Sequence, residues 1–214
     1  MVDHLNTIRD AVIGGKHAEI KGLVQQALDL GLDPGTIIND ALIAAMDVVG
    51  KDFGSGKIFV PEMLVAAMTM KTGLEVVKPQ LAGGENRSRG TVIMATVKGD
   101  LHDIGKNLVS MMLEGAGFQV IDLGVDLSVD KLVDQVRALK PDILGLSALL
   151  TTTMPEMQKV IGELKAQGLR DRIKVLVGGA PVDQVFAAKI GADGYGANAA
   201  EAVELARRFA GANA

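Results

Sequence analysis

The chain reads as an α/β protein, with an N-terminal four-helix bundle cap followed by a flavodoxin-like, doubly wound sheet of five parallel strands. Three observations predict this. Residues 1–88 carry apolar residues at helical spacing only. From residue 91, short runs rich in β-branched residues alternate with helical stretches. Between the two, "AGGENRSRG" at 82–90 is polar and glycine-containing. It marks a linker and the boundary between domains 1–88 and 89–214.

The helices of the first half are punctuated in order. "DHLNTIRDAVIGG" stops at Gly14-Gly15, and "KHAEIKGLVQQALDLG" stops at Gly31. "DPGTIINDALIAAMDVVGKDFGSG" opens with Asp33 as N-cap and Pro34 at the first helical position. "VPEMLVAAMTMKTGLEVVKPQL" opens with Pro61 and ends near Pro79. His4 and His17 fall on the first two helices without partners in pattern, as surface residues. Four helices with short connections make a small bundle.

In the second half "TVIMATV", "FQVIDLG", "DILGLSA" and "IKVLVGG" predict four buried strands, and "DGYG" a short fifth. Helices are expected from near residues 104, 129, 154 and 182. A parallel sheet of this kind is covered on both faces and binds ligands beyond the carboxyl ends of its strands. The loops "KGDLHDIG", "GVDLS", "SALLTTTMP", "GGAP" and "YGANA" are therefore where a site is expected.

Composition narrows the chemistry. The 214 residues are 48% hydrophobic, enough for a sizeable core. There is no cysteine, which excludes disulfides, thiolate metal sites, iron–sulfur ligation and cysteine nucleophiles. This fits a reducing, cytoplasmic setting. The net charge is −4 with no basic block, so nucleic acid is not an expected partner. The N-terminus "MVDHLNTIRDAVIGGK" does not have the pattern of a signal peptide, and no apolar run has the length of a membrane span. Aromatic residues make up only 3%, and small residues dominate instead. Small residues let backbones approach one another, or a large flat ligand, closely.

One of only three histidines stands in "GDLHDIGKN", right after the first strand. Asp-x-His-x-x-Gly arises by chance on the order of once per hundred chains this long. At the first strand-to-helix turn it is more specific, although a histidine that merely hydrogen-bonds a loop remains the plain alternative. Imidazole ligates late first-row metals. An acid within reach of the other ring nitrogen, here Asp100, fixes the tautomer of His102 and raises its basicity. Gly105 leaves room beside the backbone. One histidine and no cysteine are too few for a protein-only zinc site, so the pattern favours a metal already held in a macrocycle over a bare ion.

"GDLHDIGKN", Ser147 in "LSALLTTT", and "VGGAP" resemble the corrinoid-binding signature of cobalamin-dependent methyltransferases. "MDVVGKDFGSGKIFVPEMLVAA" resembles the cap module that precedes the corrinoid domain in methionine synthase. Nearly the whole chain is similar, in the same order, to the small corrinoid proteins of methanol, methylamine, betaine and O-demethylating methyltransferase systems.

The resemblance implies a cofactor, cobalamin or a related corrinoid, bound base-off/His-on. His102 takes the place of the lower cobalt ligand, Asp100 that of the acid behind it, and Thr153 that of the hydroxyl extending the relay, where methionine synthase has serine. The surrounding loop Gly99, Leu101, Asp103, Ile104 and Gly105 then meets the corrin. Ser147, Leu149 and Thr151 after the third strand, Gly178, Gly179 and Ala180 after the fourth, and Ala197 and Ala199 after the fifth line the buried nucleotide tail. Taken alone, Gly178-Gly179 is equally a strand-ending turn. Phe53, Phe59, Val60 and Met63 match cap residues that shield the upper cobalt face, although apolar residues at helical spacing also serve as bundle core. Asn39 matches a cap position that is acidic in methionine synthase.

By the same resemblance the chain is a methyl carrier rather than an enzyme in its own right. It accepts a methyl group on cobalt(I) from a substrate-specific methyltransferase. It donates the group to a second methyltransferase acting on tetrahydrofolate or coenzyme M, with a reductive activase as further partner and a monomer or loose dimer as the expected state. Cobalamin-binding subunits of radical mutases share the motif but generally lack the helical cap. Cobalamin-based sensors share the cap but usually carry a DNA-binding segment.

Overall fold

The computed structural model describes residues 2–81 and 88–211. Most of the segment expected to be a linker, residues 82–87, lies outside the described residues. The chain divides into two compact units, residues 1–88 with 114–117, and residues 89–113 with 118–214.

The first unit holds α1 (Val2–Ile13), α2 (Ile20–Asp29), α3 (Pro34–Thr36), a π-helical stretch (Ile37–Ile43), α4 (Ala44–Gly54) and α5 (Val60–Val77). The carboxylate of Asp33 accepts from the Thr36 N–H at 2.8 Å, and Pro34 occupies the first turn, as the capping pattern predicts. α3, the π stretch and α4 follow one another without a break, so four helices are formed, the third carrying an insertion that periodicity does not reveal. α2 packs on α5. At Gly73 of α5, a Cβ would come within 3.1 Å of Ile20 and Leu42, so this glycine sets how closely the helices approach. Ile8, Ile20, Ile37, Leu42, Met63 and Met70 fill the interior. His17 lies in the turn before α2, exposed, rather than on a helix.

The second unit alternates β1 (Thr91–Thr96), α6 (Ile104–Gly115), β2 (Gln119–Asp122), α7 (Val129–Leu139), β3 (Ile143–Ser147), α8 (Met154–Ala166), β4 (Lys174–Gly178), α9 (Gln184–Ile190), β5 (Gly194–Gly196) and α10 (Ala199–Gly211). Ser128 and Asp183 cap α7 and α9 through their side chains. All strand pairs are parallel, in the order β2-β1-β3-β4-β5. The doubly wound, five-stranded expectation is met. The order reverses at β1, so the crevice between the ends of β1 and β3 is the topological switch point.

Register brings small residues into one row across the carboxyl edge. Thr96 is paired with Ser147, Ser147 with Gly178, and Gly178 with Gly196. Beneath it Ile93, Leu144, Leu146, Val175 and Val177 form the centre of a core closed by α7 and α8 residues such as Leu132 and Met157. Gly179 has φ +129°, and a Cβ there would lie 1.9 Å from the carbonyl oxygen of Ala148. Gly179→Ala is therefore expected to cost the second unit about 2 kcal/mol or more of stability, from backbone strain and steric overlap together. Urea unfolding followed by circular dichroism measures it.

Candidate cofactor site

After Thr96 the chain leaves the sheet in a tight turn. Gly99, at φ +80°, adopts a backbone conformation that glycine enters without steric cost. The turn sends the side chain of Asp100 inward, where it has no exposed surface. Five donors meet its two oxygens. Oδ1 accepts from Nδ1 of His102 at 2.7 Å and from the His102 N–H at 3.1 Å. Oδ2 accepts from the N–H of Leu149 at 2.7 Å, the N–H of Leu150 at 3.2 Å and the Thr153 hydroxyl at 2.8 Å. That hydroxyl also lies 2.9 Å from the carbonyl oxygen of Leu150, but the charged acceptor draws its single proton.

Burial alone would push the Asp100 carboxyl up. Donation from the Leu149 N–H, from the His102 ring and N–H, and from the Thr153 hydroxyl outweighs it and holds the group well below the usual carboxylate range. Asp100 is thus an ionised acceptor, and Nδ1 of His102 carries the proton it accepts. In the neutral ring this leaves the lone pair on Nε2. Nε2 makes no hydrogen bond among the described residues, and the imidazole is about half exposed, at 53%. From the sheet side, the buried hydroxyl of Thr96 donates to the carbonyl oxygen of His102 at 3.0 Å, so ring and backbone are both held.

The surroundings are apolar and open. Leu101 and Ile104 are 72% and 85% exposed, and Leu149 and Leu150 are exposed as well. Exposed large apolar residues concentrated beside one polar group mark a surface built to be covered. A Cβ on Gly105 would meet nothing within 4 Å. Gly105 therefore has no steric reason inside the chain to be glycine, unlike Gly179. Among the described residues no cluster of three or more His, Cys, Asp or Glu side chains could hold an ion. The donor set fits a metal that brings its own equatorial ligands and needs one imidazole from the protein.

The sequence-derived residues of the second unit come together on one edge. Gly99–Gly105 follow β1, and Ser147, Leu149, Thr151 and Thr153 stand at or after the end of β3. Gly178, Gly179 and the exposed Ala180 close β4, and the exposed Ala197 follows β5. Ala199 is buried as the first residue of α10, a helix the sequence reading leaves out. A Cβ at Gly179 would overlap the carbonyl oxygen of Ala148, and one at Gly178 would stand 3.1 Å from that of Gly196, so the neighbouring backbone crowds both positions. In the first unit, Phe53 is half-buried, while Phe59 and Val60 are exposed. Met63 is fully buried and has no surface to shield a ligand.

Three polar groups escape the sequence reading. Thr96 hides as the last residue of an apolar run. Lys106 has a side chain only 1% exposed and donates to Asp122, at the end of β2, and to Asn107. Asp126, in the loop after β2, accepts from the N–H of Gly99 at 2.7 Å. The one signal available was the cluster of acids in "DLGVDLS", directly after an apolar run.

A doubly wound sheet with a carboxylate-oriented imidazole at its switch point and an apolar, open rim defines a protein that holds a large, preformed metal cofactor. The B12 binding domain family matches residues 90–204, and a second B12 binding domain family matches residues 4–78. The chain belongs to the B12-binding corrinoid proteins. It is 45% identical over 183 residues to trimethylamine corrinoid protein 2 of Methanosarcina mazei, covering 85% of this chain and 84% of the relative. It is 41% identical over 210 residues to a corrinoid protein of Desulfitobacterium hafniense, covering 97% of each. Among solved structures, it matches a chain of the methanol:cobalamin methyltransferase complex of Methanosarcina barkeri with a TM-score of 0.88 and 33% identity, over 98% of this chain and 80% of that one. A cobalamin-binding protein of Desulfitobacterium hafniense gives 0.80 and 34%, over 96% and 98%.

Replacing Asp100 by Asn turns one acceptor into a donor facing donors. Asp100→Asn is expected to cost the cofactor-free protein about 2–3 kcal/mol, and Thr153→Val, which removes one of five donors, about 1 kcal/mol. Chemical denaturation of the two variants beside the unaltered chain measures the ratio.

Proposed function

We propose that this chain carries its corrinoid with Nε2 of His102 as the lower cobalt ligand and the cofactor's own base displaced, and that it serves as a methyl carrier. The methyl group comes from a substrate-specific methyltransferase onto cobalt(I). It leaves to a second methyltransferase acting on tetrahydrofolate or coenzyme M, and a reductive activase is the third partner. The observation that carries this reading is the imidazole itself. Nδ1 is committed to a buried carboxylate, Nε2 is unengaged, and the rim around it is apolar.

The corrinoid, when bound, supplies the nucleophilic cobalt that takes up and gives up the methyl group, and the protein supplies position, ligation and exclusion of water. Asp100 and Thr153 keep the ring proton on Nδ1 and raise the basicity of Nε2. Leu101, Ile104, Leu149 and Leu150 cover the apolar underside of a macrocycle, and Gly105 admits it close to the backbone. Ser147 and Thr151 offer hydroxyls, and Ala180, Ala197 and the glycine pair small walls, to the displaced tail.

The relatives support the carrier role. Several are trimethylamine or dimethylamine corrinoid proteins, and one solved relative sits in a methanol:cobalamin methyltransferase complex. Methylamines and methanol are therefore the first donors to try. The ligand assignment is tested by loading the chain and its His102→Ala variant with hydroxocobalamin and reducing both to cobalt(II). Electron paramagnetic resonance with nitrogen-15 histidine is expected to change the nitrogen hyperfine splitting in the unaltered chain only. The same splitting in both samples, insensitive to the isotope, contradicts the assignment.

A further inference from the structure

We propose that Asp126 is a second positioning residue for His102, fixing the histidine loop from the β2 side as Asp100 fixes it from the β3 side. The inference rests on the reading of His102 as the cobalt ligand. In the sheet, β1 stands between β2 and β3. The loop that follows β1 can therefore be held from two directions, and it is. Toward β3, Asp100 binds the N–H groups of Leu149 and Leu150 and the Thr153 hydroxyl. Toward β2, Asp126 grips the two-residue segment Gly99-Asp100 at both ends, through the N–H of the first residue and the carbonyl of the second. Its carboxylate accepts from the Gly99 N–H at 2.7 Å, and its own N–H donates to the Asp100 carbonyl oxygen at 3.1 Å. Both groups lie within three residues of His102.

The backbone of Asp126 points the same way. Its φ is +54°, in the left-handed region that side chains enter at a cost and glycine enters freely. Asp and Asn are the residues that tolerate it best, but glycine would suit the turn better on backbone grounds alone. A carboxylate kept in a strained position is accounted for by the bond it makes, not by the turn.

The support beneath Asp126 is rigid. The Thr96 N–H donates to the Gly124 carbonyl, the Leu127 N–H donates to the Thr96 carbonyl, and Val97 and Leu127 form a parallel bridge. At the start of the same loop, Asp122 is paired with the buried Lys106 of α6 and accepts from the Gly124 N–H at 2.8 Å. The β2–α7 loop thus ties together the residues before His102 and the helix after it. Asp126 does not need to touch the cofactor. It acts through the segment Gly99-Asp100, which sets where the imidazole stands before any ligand arrives.

Asp126→Gly separates the two roles, because it relieves the backbone strain while removing the acceptor. Asp126→Asn keeps an acceptor oxygen in place. Both variants and the unaltered chain are loaded with hydroxocobalamin, reduced to cobalt(II) and examined by electron paramagnetic resonance with nitrogen-15 histidine. Amide hydrogen exchange at Gly99 is followed in the cofactor-free proteins. In Asp126→Gly the expected result is exchange at Gly99 at least about tenfold faster, and loss of at least half of the histidine-coupled signal from protein that still unfolds cooperatively. Asp126→Asn should stay near the unaltered chain in both. A full histidine-coupled signal in Asp126→Gly, or equal losses in both variants, overturns the role of Asp126 while leaving His102 as ligand. Absence of histidine coupling in the unaltered chain overturns the ligand assignment, and this inference with it.

Discussion

The carboxylate of Asp100 has no contact with solvent, and its charge survives there only because five donors converge on it from two segments of the chain. Moving such an ion out of water costs several kcal/mol even after the protein relaxes. Two consecutive backbone N–H groups, a hydroxyl, a ring N–H and one further N–H offset that cost. The consequence is structural as well as electrostatic. The β1–α6 loop and the β3–α8 loop cannot separate without stranding the charge, so the switch-point crevice has a fixed floor. The imidazole inherits its tautomer from the same charge. A neutral partner in place of the carboxylate would leave the ring proton free to choose either nitrogen.

The sheet makes this arrangement available. With the order β2-β1-β3-β4-β5, the loop after β1 is the one that has a neighbouring loop on each side at the point where the winding reverses. The row Thr96, Ser147, Gly178 and Gly196 keeps the carboxyl edge low, so that nothing bulky rises beside the histidine. Apolar bulk is instead placed on the rim, at Leu101, Ile104, Leu149 and Leu150, where it is exposed. Exposed leucine and isoleucine concentrated around one imidazole make an apolar surface of the kind that ligands or partners cover.

Much of this was legible in the sequence, for physical reasons that differ by residue. The strands and most helices show themselves through local periodicity, and Asp33 and Pro34 through local capping chemistry. Asp100 and His102 are two residues apart, so their pairing is a short-range event that spacing can reveal. Thr153 is 53 residues from Asp100 and was found by resemblance rather than by spacing. Asp126 meets Gly99 across 27 residues, so the alternation of strands and helices points to its loop without singling out the residue. The π stretch at Ile37–Ile43 depends on how helices pack, which no local pattern encodes, whereas the burial of Met63 agrees with the bundle-core reading of its helical spacing. The glycine pair after β4 is open to two readings in the sequence, a turn or a ligand wall, and the close carbonyl of Ala148 gives Gly179 a reason of its own to be glycine.

The central claim is that the imidazole of His102 is set for ligation before a cofactor arrives, with its proton on Nδ1 and its lone pair on Nε2. Nitrogen-15 spectra of the histidine rings in the cofactor-free protein, taken with the rings in their neutral form and assigned by the loss of one ring system in His102→Ala, test it most directly. The account predicts a single tautomer for His102, with a protonated Nδ1 and an unprotonated Nε2. A ring protonated on Nε2, or one averaging between the two tautomers, would contradict it.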